Sequence, residues 1–271
     1  MKAGVWLPLF DELADPRVIA DLAVEAEAAG WDGFFVWDQI AWRAPVVAVA
    51  DPLVCLAAAA TVTSRIALGP MVSPLARRRP TKLARETVSL DRLSNGRLIL
   101  GVGLGSDRFA QEYSRTGEPV EDRTRAELLD ESLEILRAAW TGEPVHHSGA
   151  HHLVDNLTFE PRPVRGTIPV WVAGFPGNLR PLRRAAAHDG FFPVNLTAAD
   201  QLAEAVDRVK GLREDPSRPF DVAIDLAPGT DPAPWLAAGA TWVLTDLDPT
   251  TLRLADVRAM VREGPYAPTP G

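Results

Sequence analysis

Eight short, nearly continuous apolar runs alternate along this chain with stretches of amphipathic helical pattern, and few folds accept that rhythm. The runs are AGVWLPL from Ala3, DGFFVWD from Asp32, RIALGPMVS from Arg65, RLILGVGLG from Arg97, IPVWVAG from Ile168, DGFFPVN from Asp189, PFDVAIDL from Pro219 and ATWVLTDL from Ala240. A strand covered on both faces has no polar side to show, so parallel strands read as unbroken hydrophobic segments. Eight strand-then-helix units in 271 residues match a (β/α)8 TIM barrel of the α/β class, whose usual length is about 250 residues. Such a barrel builds its active site at the C-terminal ends of its strands.

The stretches between the runs supply the helices. Ile19, Leu22, Ala23 and Ala26 follow the i, i+3, i+4, i+7 spacing, and Gly30 ends that helix. Asp51 and Pro52 pair an N-cap with a first-turn proline and lead Leu53, Leu56, Ala57 and Ala60 toward the core. Leu129, Leu133, Leu136 and Trp140 form a longer stripe. Leu202, Ala205, Val206 and Val209 form another, with Thr197 as the expected cap, and Asp248–Pro249 is expected to cap the helix of Leu254, Val257 and Val261. Only a short helix fits near Trp235–Ala238.

No linker or low-complexity tract divides the chain, so residues 1–271 read as one domain. A net charge of −8 argues against a nucleic-acid backbone as partner. The single cysteine, Cys55, allows no internal disulfide and fits a packing role in an alanine-rich helix. The first strand begins almost at once, no signal peptide is visible, and no run approaches the ~20 apolar residues of a membrane span. The expectation is a cytoplasmic protein without membrane association.

The rhythm breaks between the fourth and fifth runs. A polar segment, Ser106 to Arg125, contains Phe109, Tyr113 and Gly117. After the Leu129–Trp140 helix, Thr141 to Val164 reads as a short β-excursion with turns at Gly142 and Gly149. Long loops at this end of a barrel border the substrate. Four histidines, His146, His147, His151 and His152, fall in the excursion without cysteine or a repeated acid–histidine spacing. They read as hairpin residues, and no metal is expected.

The stretch GPMVSPLARRRPTKLARETVSLDRLSNGRLILGVGLGS, Gly69 to Ser106, resembles the luciferase-like, flavin-dependent oxidoreductases. AEAAGWDGFFVWDQI from Ala26, RAELLDESLEILRAAWTGEPV from Arg125, and IPVWVAG followed by AAAHDGFFP extend the resemblance over most of Met1 to Leu196. The last quarter carries little of it. The resemblance implies a (β/α)8 enzyme using FMN or the deazaflavin F420, a small-molecule substrate, and pairing into a homodimer through helices near strands two and three, where Leu56 to Ala60 supply small residues. It also implies a non-prolyl cis peptide under the cofactor ring, placed near Val72–Ser73.

A flavin needs an apolar slot, hydrogen bonds for its polar edge and a backbone cradle for phosphate. Gly101, Gly103 and Gly105 alternate along the end of strand four, either to admit a planar ring or to pack tightly in the barrel. Gly174-Phe175-Pro176-Gly177-Asn178 follows strand five and opens a helix, so free N–H groups at Gly174, Gly177 and Asn178 are expected to face an anion, with Arg180 and Arg183 nearby. Arg77-Arg78-Arg79 reads either as attraction for an acidic cofactor tail or as a solvated cluster. Asp38, at the end of strand two, is the candidate catalytic residue, with a helix cap as its structural alternative. Gln39 stands where the family often has histidine and cannot shuttle a proton near neutral pH.

The function implied is hydride transfer or monooxygenation by an FMN- or F420-dependent oxidoreductase. With FMN, a separate flavin reductase is needed, since no GxGxxG unit serves NAD(P)H. The alternative is a degenerate barrel that binds a flavin without turnover, as a carrier or sensor.

Overall fold

Every one of the eight runs forms a strand. The computed structural model describes residues 1–265. The strands are β1 (Lys2–Leu7), β2 (Gly33–Val36), β3 (Ala67–Pro70), β4 (Ser73–Pro74), β5 (Leu100–Gly103), β6 (Val145–Ser148), β7 (Leu153–Leu157), β8 (Val170–Gly174), β9 (Gly190–Pro193), β10 (Asp221–Leu226) and β11 (Trp242–Thr245). Nine of them lie in the order β3-β2-β1-β11-β10-β9-β8-β5-β4, all parallel where paired. The third run splits into β3 and β4, and both pieces reach the same neighbour. Ser73 pairs with Val102, and Leu68 bridges Leu98, which closes the barrel.

The helices are α1 (Pro16–Ala29), α2 (Pro52–Val62), α3 (Pro80–Leu93), α4 (Asp122–Trp140), α5 (Leu179–Ala186), α6 (Ala199–Leu212), α7 (Ala233–Ala237) and α8 (Leu254–Glu263). Asp51 caps α2 by accepting from Val54 N at 3.0 Å, and Gly30 ends α1 at a φ of 90° that a side chain would resist. Two expected caps are elsewhere. Thr197 hydrogen-bonds Gln201 while Ala198 occupies the α6 cap position, and Asp248 closes a turn on Thr250, leaving Arg253 as the α8 cap. Thr197 donates its N–H and hydroxyl to the Gln201 side chain, and Asp248 accepts within a turn that precedes α8, so neither caps its helix. On α2 the fully buried face is Cys55, Leu56, Ala59 and Ala60, with Leu53 and Ala57 only half-buried.

Strand alternation divides the core. Val5, Leu7, Phe34, Val36, Leu100 and Val102 face outward into the helices. Phe35, Met71, Trp171, Phe192, Ala223, Trp242 and Leu244 fill the barrel. Trp171 and Trp242 meet edge to face at 5.2 Å, close-packing the interior. The barrel interior is therefore filled by side chains. The β6–β7 hairpin is the expected excursion, antiparallel and docked on α4. No helix among the described residues is long and apolar enough to cross a membrane.

Candidate active site

The mouth of the barrel is floored by Trp6. Its position on β1 points inward, its indole Nε1 donates to Met71 O at 2.6 Å, and its ring meets Phe192 edge-on at 5.5 Å. The side chain therefore bridges β1, β3 and β9. The non-prolyl cis peptide lies between Met71 and Val72, one residue before the expected Val72–Ser73. Val72 is half-buried beside Trp6 and Ala173, and the Cβ that Gly103 lacks would meet Val72 Cγ2 at 3.1 Å and Ala173 Cβ at 3.5 Å. Val72, Gly103 and Ala173 thus complete an apolar floor with Trp6.

Gly101 and Gly105 do not share this role. A side chain at Gly101 would strike Pro70 O and Met71 Sδ. One at Gly105, where φ is +69°, would fall on the Tyr113 hydroxyl, which donates to Leu104 O at 2.9 Å. The expected glycine edge is thus not an open one: at Gly103 Val72 and Ala173 line it, and at Gly105 the protein's own tyrosine fills it.

Asp38 is buried to 1% exposure, and its carboxylate is enclosed by the protein. Ser73 Oγ donates to Oδ2 at 2.5 Å, Arg77 reaches Oδ1 at 3.1 Å and the main-chain carbonyl at 2.6 Å, and Arg78 Nε donates to Oδ2 at 2.9 Å. Burial pushes the carboxyl up, but the two guanidiniums and the hydrogen bonds from Arg78 and Ser73 outweigh it and hold Asp38 below the usual carboxylate range. A carboxylate held below its usual range and saturated with donors is poorly suited to proton transfer near neutral pH. The geometry makes Asp38, expected as a catalytic residue or a helix cap, an anchor for β4 and the segment before α3. Ser73, expected to face the cofactor, is fully buried and turned toward that anchor. Arg77 and Arg78 are Asp38's counter-ions, while Arg79 stays exposed.

Glu112 was invisible to sequence reasoning. It is 4% exposed, accepts from Ala41 N at 3.0 Å and from Ile40 N, and lies 3.9 Å from Arg77. With its amide oriented to donate, Gln39 adds bonds of 2.9 and 3.1 Å to the same carboxylate. Phe109 stacks on Trp42 with ring centroids 4.8 Å apart. Together these contacts fold the loop after β5 against the loop after β2.

The loop after β8 is only partly the expected cradle. Asn178 N donates to Phe175 O at 3.1 Å, so this N–H is already used. The missing side chain of Gly174 makes room for Pro181. Gly177 differs: it is exposed, and a Cβ there would meet nothing within 4 Å. It leaves bare backbone at the start of α5. The wide groove of about 540 Å³ between α4 and α5 lies outside the barrel, away from the strand ends. Among the described residues no three His, Cys, Asp or Glu side chains are grouped to hold a metal ion; His147 and His151 instead face Glu131 and Glu127 at 3.3 Å.

The luciferase-like monooxygenase family profile matches residues 1–234. The F420-dependent glucose-6-phosphate dehydrogenase of Intrasporangium calvum is 32% identical over 79% of this chain and 67% of its own length. Its namesake in Gordonia bronchialis is 32% identical over 88% and 72%. Among solved structures, the F420-dependent tetrahydromethanopterin reductase of Methanopyrus kandleri superposes with a TM-score of 0.76 at 18% identity, covering 97% of this chain and 98% of that one. A monooxygenase from Streptomyces bottropensis gives 0.78 at 19%, covering 97% of each. At those identities the structural likeness speaks for the fold.

Proposed function

The chain belongs to the luciferase-like monooxygenase family, and on that premise we propose that it is an F420- or FMN-dependent oxidoreductase whose cofactor ring lies over the floor formed by Trp6, Val72, Gly103 and Ala173. The observation that carries this reading is the floor itself, a plane of apolar and small residues at the C-terminal ends of the strands. Two further features fit. The indole Nε1 atoms of Trp37 and Trp42 are buried without a partner among the described residues. Gly177 offers unobstructed backbone for a phosphate. Such a cofactor, when bound, supplies the hydride chemistry.

The protein's own groups would bind, orient and dehydrate. Val72 and Gly103 support the ring, and Gly177 receives the anionic end. Asp38 positions Ser73, Arg77 and Arg78 without touching the reacting atoms. Glu112 and the Phe109–Trp42 stack hold the loop after β5 over the mouth and limit water. The relatives named as F420-dependent favour F420, with a dehydrogenase or reductase reaction. FMN would imply a monooxygenase supplied by a separate reductase. The barrel acts as one unit in the cytoplasm. It pairs as a homodimer through the outward stripe of α2, Val54, Ala58 and Val62; Leu56, Ala59 and Ala60, expected there, face the core instead.

The test is titration of the purified protein with F420 and with FMN, read by absorbance and tryptophan fluorescence, followed by turnover with each reduced cofactor. Binding of neither would remove the reading; binding without turnover on any substrate panel would favour a carrier.

A further inference from the structure

Above Trp6 the rim of the mouth is uneven. On the β2, β5 and β8 side it presents Trp37, Gly103 and Ala173. On the β10–β11 side it presents carboxylates. Residues 221, 223 and 225 occupy inward positions of β10, as Ala223 in the barrel core shows, and 242, 244 and 246 do the same along β11. At the lower end Asp221 is satisfied, accepting from Trp242 Nε1 at 3.1 Å and Thr241 Oγ1 at 3.2 Å. Two strand repeats higher, at the mouth, Asp225 is half-buried and its carboxyl makes no hydrogen bond or ion pair with another described residue. Asp246, just past β11, is exposed and also has no side-chain partner among the described residues; its N–H donates to Leu226 O at 2.8 Å and fixes it beside the end of β10. Lys2, at an inward position of β1, lies at the opposite end of the barrel over the Trp242 ring.

A polar group placed where the fold gathers ligands, yet paired with no protein donor, is left for a ligand donor. We propose that Asp225, with Asp246 behind it, selects the substrate: it accepts from a hydroxyl or ammonium group on a molecule whose apolar body rests on the floor, and it excludes anions. This rests on the reading of the mouth as the ring site. It separates this chain from relatives named for a phosphorylated sugar, because a phosphate brought beside unpaired carboxylates is repelled. Burial and the neighbouring Asp246 push the Asp225 carboxyl up to about 6. Asp246 is itself raised by burial and by Asp248. The other inward neighbours, Trp6, Ala223, Leu244 and Val194, do not titrate. Selection by charge is therefore complete above that value and fades as the acid is neutralised below it.

The experiment uses three probes of one shape, cyclohexylamine, cyclohexanol and cyclohexanecarboxylate. They are titrated into wild type and Asp225→Asn, holoprotein and apoprotein, with cofactor absorbance and tryptophan fluorescence as readouts. In wild type at pH 8 the amine should bind at least about tenfold more tightly than the carboxylate, with the alcohol between them. In Asp225→Asn the carboxylate should gain and the amine lose, closing most of that gap. Equal binding of amine and carboxylate by wild type, or an order that survives the substitution, overturns the proposal. Failure of the cofactor titration would strike the functional reading instead, and the apoprotein arm would still judge Asp225.

Discussion

Arg77 and Asp38 lock together out of solvent, the guanidinium reaching the carboxylate at 3.1 Å and the same residue's carbonyl at 2.6 Å. Arg78 closes the other carboxylate oxygen. Removing one member of such a buried set strands the others. Asp38→Asn should therefore lower unfolding free energy by about 3–5 kcal/mol, measured by urea denaturation. The fold depresses this carboxyl, so its contribution is present above the unfolded-state value and is lost as pH falls through the folded one. Wild type should lose stability at acid pH more steeply than the asparagine variant. A variant as stable as wild type but slow in turnover would return Asp38 to a catalytic role.

The loop after β8 separates packing from binding in two neighbouring glycines. Gly177→Val meets no protein atom and should leave the melting temperature unchanged, while weakening F420 or FMN by about tenfold or more through blocked backbone approach. Gly174→Ala should do the reverse and destabilise, because Pro181 occupies that space. Unchanged cofactor affinity in the Gly177 variant would take the loop out of the site.

Gly105 and Tyr113 compete for one volume. Gly105→Ala is opposed both by the hydroxyl and by a φ of +69°, and should cost about 1–3 kcal/mol. Combining it with Tyr113→Phe should cost less than the sum of the single changes, as expected for residues in contact. Strict additivity in a double-mutant cycle would show that the two do not share the space.

The hairpin hangs on Glu131. Its carboxylate accepts from Ala150 N at 2.8 Å, His151 N at 3.1 Å and His152 N at 2.9 Å. Glu131→Ala should raise amide exchange across β6 and β7, lowering local opening free energy by about 1–3 kcal/mol, with barrel amides unaffected. Equal loss of protection in the barrel strands would mean that the hairpin and barrel unfold as one.

Pairing through α2 has a direct test. Val54 is 57% exposed and Val62 49% on its outward face. Val54→Glu should give a monomer by light scattering at micromolar concentration, where wild type should give a dimer. A monomeric wild type would end that proposal.

The strands and most helices were legible because their signal is periodic and local. Eight apolar runs had one plausible reading, and Asp51–Pro52 announced α2 within two residues. The site was less legible because its pairings are distant. Nothing near Arg77 or Arg78 reveals that Asp38, some forty positions earlier, will neutralise them, so a buried pair resembled a solvated cluster. Glu112 stands alone in a polar loop and gains its role only when β2 brings Gln39 to Ala41 alongside. Thr197 and Asp248 carried the right chemistry for caps, but the chain turned before each helix began. A usable clue to Asp225 was present, since Asp221, Ala223 and Asp225 share one side of a strand.

The loop after β5 is tethered at a few points and otherwise free. Asp107 receives the N–H groups of Tyr113 and Ser114, Tyr113 is fixed to Leu104, and Glu112 is fixed to the β2 side. Phe109 is stacked on Trp42, and between these tethers Arg108 and Gln111 are exposed. The segment is in effect a cassette with permanent clips and a replaceable face. Substitutions at those two positions can retune which molecules enter while the barrel below keeps its shape, so substrate range can drift without the fold being renegotiated.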